Sequence, residues 1–263
     1  MTSSGMTSSG MTSSGMTSSE GYLDVPGGKV WYRRVGEPRA TESPLLCLHG
    51  GPGFTHYYLE PLEAFADRRQ VVFYDQLGCG RSDRPDDPSL WTVDRFVEEL
   101  AQVRDALGLE RLHLFGSSWG GMLAMQYVLD RRPNLVSLTL CGSPASMIRW
   151  VADCDQLLAE ETTQTRKTIR EHEAAGFTAC PEYQAAILGF YRKHVCRMNP
   201  WPPGFERSFA EAAAATTSAP RPTWPTCTRG FPAPSCASSR MPPTCASPKG
   251  LRNSPRYSIL FWT

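Results

Sequence analysis

One nine-residue stretch, LFGSSWGGM at positions 114–122, restricts the fold more than any other part of the chain. An apolar run, RLHLFG (111–116), precedes it, and a helix-like run, GMLAMQYVL, follows it. Its centre fits the pattern G-x-S-x-G, in which a serine sits on a tight strand-to-helix turn that exposes the hydroxyl. The stretch therefore predicts a nucleophile at Ser118, the alternative being an ordinary glycine-rich loop between a strand and a helix.

Strand-like and helix-like segments alternate through residues 21–143. The predicted strands cover 29–35, 44–50, 70–76, 111–116 and 135–142, and the predicted helices run from about 92 to 107 and from about 118 to 130. Such alternation predicts an α/β fold, with a mostly parallel sheet and helices on both faces. Residues 144–211 lack strand runs and carry helical stretches, which predicts a helical cap on this sheet.

The two ends of the chain differ in composition from the rest. Residues 1–20 are four five-residue repeats of Ser, Thr, Gly and Met, too polar to bury a core, so we predict disorder or an artefactual translation start. Residues 212–263 hold nine prolines and six Lys or Arg but no Asp or Glu. Either this segment is a disordered proline-rich tail, or it is coding sequence read out of frame.

The bulk composition excludes several classes of function. A net charge of +1 over 263 residues gives no reason to expect nucleic acid or an anionic membrane as partner. No apolar run approaches the roughly 18 residues of a membrane helix, and the start lacks the apolar core of a secretory signal. Nine cysteines without C-x-x-C spacing indicate reduced thiols rather than disulfides or a metal site. These features predict a cytoplasmic protein.

A glycine-rich loop, LHGGPG (48–53), follows the predicted strand that begins near Leu45. A serine on a strand-to-helix turn needs two backbone N–H donors for the oxyanion that forms during acyl transfer. Trp119, directly after the serine, is placed to give one, and Gly51 is placed to give the other. The loop does not fit the alternative of a phosphate cradle, because the G-K-[ST] ending is missing.

Together with YDQLGCGRSD (74–83), these two motifs resemble the prolyl aminopeptidases, or proline iminopeptidases, of the α/β-hydrolase superfamily. The resemblance covers roughly residues 21–210 and includes NPWPP (199–203), which is similar to the family's helical lid. It implies an α/β-hydrolase fold with a helical cap.

The resemblance also implies an activity, the removal of N-terminal proline from short peptides with a free N-terminus. Ser118 would attack the scissile carbonyl, the N–H groups of Gly51 and Trp119 would hold the oxyanion, and no metal or organic cofactor would be needed. Acidic residues bind the substrate's free amine in this family, and Glu182 in CPEYQ is the candidate here. The alternative is that Glu182 is a solvated glutamate in the first turn of a helix.

The chain departs from the family pattern where the catalytic acid and histidine would follow. No Asp or Glu comes after Glu211 and no His after His194, so the last strands of the fold are expected to be missing. We do not expect any of the five histidines (His49, His56, His113, His172 and His194) to act as the base. Without a base Ser118 is a poor nucleophile, so this chain is expected to be inactive or altered at its C-terminus.

Two other functions stay open from the sequence. The same motifs serve an esterase or amidase acting on small acyl substrates. A non-catalytic fragment that docks through its proline-rich tail is the other alternative, supported by APRP and PAPSC.

Overall fold

A computed structural model of the chain describes residues 8–11, 15–178, 180–218 and 256–260. Within these ranges the chain forms one eight-stranded sheet and six α-helices. The strands are β1 (Ser8–Met11), β2 (Thr17–Val25), β3 (Gly28–Val35), β4 (Leu45–Leu48), β5 (Val71–Tyr74), β6 (Leu112–Ser117), β7 (Leu135–Cys141) and β8 (Arg256–Leu260). The helices are α1 (Val93–Ala106), α2 (Trp119–Arg131), α3 (Met147–Ala159), α4 (Thr163–Ala175), α5 (Pro181–His194) and α6 (Pro203–Ser218).

The order of the strands places the candidate site. The sheet runs β1-β2-β3-β5-β4-β6-β7-β8, with antiparallel pairs from β1 to β5 and parallel pairs from β5 to β8. The chain passes from β4 to β5 on one side and then returns to β6 on the other side of β4. In open α/β sheets, ligands bind at the carboxyl ends of the strands where the order reverses in this way. The loops after β4 and β6 therefore meet at the position where a ligand site is expected.

Both faces of the sheet are buried at the central strands β4 and β5, where alternate residues point to opposite sides. On β4, Leu46 and Leu48 pack in the larger core cluster beneath α1 and α2, together with Phe96 and Leu123. Cys47 faces the other side, in a smaller cluster covered by a 3₁₀ helix, His56–Phe65. The structure confirms the predicted α/β class, with a 3₁₀ helix covering the second face in place of an α-helix.

Helix α1 shows how closely the apolar spacing fixes the fold. Its buried face carries Phe96, Leu100 and Val103, as the period of the sequence predicts. The Thr92 hydroxyl accepts a hydrogen bond from Arg95 N at 3.3 Å, which satisfies one of the free N–H groups at the helix start. The helix therefore begins and ends within one or two residues of its predicted bounds.

The predicted cap consists of the helices from α3 to α6. Helix α6 packs on the 3₁₀ helix: the hydroxyls of Ser208 and Thr55 lie 2.9 Å apart, and Arg207 donates to the Tyr57 hydroxyl at 2.6 Å. Helix α6 also runs to Ser218, beyond the predicted cap boundary at residue 211. None of the helices in the described ranges has the length and hydropathy needed to span a membrane.

Part of the N-terminal repeat is ordered in strands, which differs from the predicted disorder. Residues 8–11 pair antiparallel with residues 17–20, and the same β2 strand continues along β3. All four residues of β1 are exposed, so this pairing depends on backbone hydrogen bonds and buries no side chains. Residues 1–7 and 12–14 of the repeat lie outside the described residues.

The sheet extends one strand beyond β7, although the sequence predicts that the last strands of the fold are missing. Residues 256–260 of the proline-rich segment pair in parallel with β7 along Ser137–Cys141. This pairing gives backbone hydrogen-bonding partners to the edge of β7. The rest of the segment, 219–255 and 261–263, lies outside the described residues, and so does the proposed docking tail with APRP and PAPSC.

Candidate active site

Ser118 occupies the turn between β6 and α2, as the motif predicts. Its φ of 52° and ψ of −120° lie in a region that residues other than glycine rarely adopt, so the backbone is strained at this residue. The turn is held by a hydrogen bond from Ser118 N to Cys141 O at 2.8 Å, and Ser118 O accepts from Gly121 N at 3.0 Å. Ser118 is exposed, whereas its neighbours Trp119 and Gly120 are buried. The hydroxyl therefore stands clear of the sheet at the start of a helix.

The glycine loop after β4 passes directly beside this serine. A Cβ on Gly50 would lie 3.0 Å from the Cβ of Ser118, so a side chain there would push against the serine turn. Gly51, the next residue, has a φ of +121° and is exposed. The structure thus brings together three of the predicted site residues, Ser118, Trp119 and Gly51, at the ends of β4 and β6.

His49 fixes the start of the glycine loop. Its Nε2 accepts a hydrogen bond from Gln76 N at 2.9 Å, so the proton is on Nδ1, which lies 2.9 Å from Gly50 O and donates to it. The ring is fully buried, and burial lowers its pKa, which keeps it neutral. Both ring nitrogens are therefore engaged in ordering the loop.

The end of the same loop is fixed by a buried pair, His56 and Asp75. Asp75 Oδ1 accepts from both Nδ1 and the backbone N of His56, at 2.9 and 3.0 Å, and Oδ2 accepts from Arg81 N at 3.1 Å. Burial alone would raise the pKa of Asp75, but the His56 hydrogen bond and charge outweigh it and hold the pKa below its usual range. The Asp75 carboxylate therefore anchors both the glycine loop and the loop after β5.

Tyr58 connects the glycine loop with the turn at Ser118. Its hydroxyl accepts a hydrogen bond from Gly50 N at 2.6 Å, and its side chain also hydrogen-bonds that of Ser117. Burial raises the pKa of Tyr58 to about 12, so the phenol stays protonated. Gly50 N is thus occupied, whereas the next residue, Gly51, is exposed.

Aromatic side chains of the cap form an apolar wall beside the glycine loop. Phe205 of α6 lies between Trp201 and Phe54, with ring centroids at 4.9 and 5.8 Å, and Phe209 lies 6.5 Å from Phe54. Trp201 is buried, whereas Phe54, Phe205 and Phe209 are only half-buried. The cap therefore presents aromatic surface next to the loop that carries Gly51.

Glu182, the predicted amine anchor, lies in the first turn of α5 on the surface of the cap. Its side chain is 82% exposed, and its Oε2 is 3.8 Å from His172 Nε2. This environment fits the alternative of a solvated helix-start glutamate, and the anchoring role stays a prediction. His194 pairs with Glu161 at 3.3 Å and His113 with Ser137 at 2.7 Å, so these histidines also have partners of their own.

Sequence reasoning missed the residues that connect these loops. The indole Nε1 of Trp119 donates to Gln76 Oε1 at 2.9 Å, and Gln76, like Asp75, belongs to the motif DQLGCGRS. The motif carried the family resemblance, but its letters do not tell which distant backbone atoms the side chains reach. Two consecutive polar residues at the end of a buried strand are the signal that could have identified them.

Residues 43–220 match the family described as the alpha/beta hydrolase fold. This match agrees with the sheet order, the strained serine turn and the glycine loop. The chain therefore belongs to the alpha/beta hydrolase family.

Within that family the chain is similar to proline iminopeptidases. It is 41% identical over 189 residues to the proline iminopeptidase of Heyndrickxia coagulans. This alignment covers 72% of this chain and 65% of that protein. The crystal structure of the proline iminopeptidase of Mycobacterium smegmatis is 39% identical, with a TM-score of 0.65. The crystal structure of VinJ is 37% identical, with a TM-score of 0.70. Each of these two structural alignments covers 75% of this chain and 68% of the matched chain. These likenesses confirm the resemblance that the three motifs predicted.

The alignments cover only part of these relatives. It spans 60–65% of the length of the first curated proline iminopeptidases that it matches. The part that matches the alpha/beta hydrolase family, residues 43–220, includes the serine turn, the glycine loop and the cap.

Proposed function

We propose that the chain carries the nucleophile and oxyanion half of a prolyl aminopeptidase site. The observation that carries this proposal is the exposed Ser118 on a strained turn, directly beside the glycine loop of β4. Ser118 Oγ adds to the carbonyl of the first peptide bond, and the N–H groups of Gly51 and Trp119 bind the oxyanion. The C–N bond then breaks, the shortened peptide takes the proton, and water releases the first residue from the serine ester.

The aromatic wall beside the glycine loop favours a substrate whose first residue is apolar. The half-buried rings of Phe54 and Phe205 lie beside the glycine loop, where a proline ring would find apolar contact. Cys47 and Cys79 are buried free thiols, which fits the cytoplasmic location that we propose.

We further propose that this chain by itself turns over slowly. Ser118 requires a base to accept its proton, and the buried His49 and His56 already have hydrogen-bonding partners. A chimera in which the C-terminal part of the Heyndrickxia coagulans relative replaces residues 212–263 is expected to restore the base.

The experiment that tests the substrate class compares a free with a blocked N-terminus in this chimera. We expect hydrolysis of proline 4-nitroanilide to exceed that of N-acetylproline 4-nitroanilide by about 100-fold or more, because a binding site for an amine rejects an uncharged amide. Release of 4-nitroaniline at 405 nm measures both rates. Equal rates for the two anilides, together with hydrolysis of 4-nitrophenyl acetate faster than that of either anilide, would instead identify an esterase or amidase that acts on small acyl substrates.

A further inference from the structure

We propose that Gln76 is a positioning residue that sets the relative position of the two backbone segments of the oxyanion site. The inference depends on the proposed roles of Gly51 and Trp119. It assigns a function to the DQLGCGRS motif, which the proposed chemistry does not otherwise use.

The side chain of Gln76 makes one hydrogen bond to each segment. Its Nε2 donates to His49 O at 3.0 Å, at the start of the glycine loop, and its Oε1 accepts from Trp119 Nε1 at 2.9 Å. Its backbone N also donates to His49 Nε2 at 2.9 Å. Gln76 is only 1% exposed, so water does not compete for these bonds. One amide therefore bridges the loop after β4 and the first residue of α2.

Asp75 and Gln76 together hold both ends of the glycine loop. Successive residues at the end of a strand point to opposite sides, so Asp75 reaches His56 while Gln76 reaches His49. The segment between these two histidines contains Gly51. A loop fixed at both ends keeps its N–H groups in place before the substrate arrives, which is what oxyanion stabilisation requires.

The side-chain type follows from these contacts. The Trp119 indole offers only a donor and the His49 carbonyl only an acceptor, so the bridging group must both accept and donate. An amide does both, and so does a protonated carboxylic acid. An ionised carboxylate accepts only, and a thioether of similar size replaces neither bond.

The matched control is Gln70, a second buried glutamine at the opposite end of the same strand, β5. Its Nε2 donates to Gly36 O at 3.2 Å, and it is 7% exposed. Gln70→Met and Gln76→Met both remove a buried amide hydrogen bond to a backbone carbonyl. Only Gln76→Met also removes the connection to Trp119.

The test measures how fast Ser118 reacts with an alkyl fluorophosphonate in the chimera described above, in which the base is restored, and intact mass follows the reaction. In this reaction the Ser118 Oγ–P bond forms, the P–F bond breaks, fluoride leaves and the base takes the hydroxyl proton. We expect Gln76→Met to lower the rate constant by about 10- to 100-fold, because a displaced oxyanion donor stabilises the transition state less. Gln70→Met should leave it unchanged. The probe needs no proline recognition, so failure of the peptidase proposal would be separate from failure of this one.

A second variant, Gln76→Glu, distinguishes positioning from a general loss of stability. Burial raises the pKa of the new carboxyl, and its protonated form restores both bonds. The rate constant relative to the unsubstituted chimera should therefore rise as the pH falls from about 8 to about 5, in parallel with a shift of the Trp119 indole signal in ¹H–¹⁵N spectra. Equal rate constants for Gln76→Met and Gln70→Met, or a Gln76→Glu ratio independent of pH, would overturn the inference.

Discussion

Replacing Ser118 by alanine is expected to reduce proline 4-nitroanilide hydrolysis by the chimera by about 10⁴- to 10⁶-fold, the range for removing a nucleophilic serine. Alanine keeps the Cβ and removes only the hydroxyl, which is exposed in the structure. The substitution leaves the backbone hydrogen bonds of the turn in place, so the loss should appear in kcat and not in folding.

The control for this substitution is Ser137→Ala. It removes a serine hydroxyl near the start of β7, the strand beside β6, whereas Ser118 follows the end of β6. Ser137 hydrogen-bonds His113 at 2.7 Å and has no part in the proposed chemistry. Its kcat should equal that of the parent chimera. A Ser118→Ala chimera that retained the parent rate would rule out the serine mechanism.

Gly120→Ala is expected to destabilise the fold by about 3 kcal/mol or more, because the added methyl has no space. Its Cβ would lie 2.3 Å from Leu48 O and 2.6 Å from His49 O, both of which are backbone atoms. The start of α2 would have to move away from the end of β4, and Ser118 and Trp119 would move with it. Urea unfolding followed by far-UV circular dichroism measures the change.

The matched substitution is Gly189→Ala, in the interior of α5. An added Cβ there meets no atom within 4 Å, so alanine should stabilise the helix by about 0.5–1 kcal/mol through its higher helix propensity. The two glycine-to-alanine changes should therefore have opposite signs. A Gly120→Ala chain as stable as the Gly189→Ala chain would mean that α2 does not approach β4 as closely as described.

The features that the sequence predicted correctly depend on local or periodic signals. The spacing of Phe96, Leu100 and Val103 indicated α1, and the apolar runs before the glycine-rich turns indicated β4 and β6. The serine turn could be predicted because G-x-S-x-G specifies a local backbone geometry. These signals need no knowledge of distant contacts.

The features that the sequence missed depend on contacts between distant segments. Strand β1 pairs through its backbone alone, and β8 joins the sheet from a segment far along the chain. Gln76 is 43 residues from Trp119, so no periodic pattern connects them. The role of a buried amide is visible only once the strand order brings both of its partners to the same edge of the sheet.

The central claim, that Ser118 is the nucleophile, is tested most directly by locating the adduct that an alkyl fluorophosphonate leaves on the chimera. Tryptic peptides sequenced by tandem mass spectrometry should show the phosphonyl group on Ser118, and the neighbouring Ser117 should be unmodified. A phosphonyl group on Ser117 or on any other residue, with Ser118 unmodified, would contradict the account.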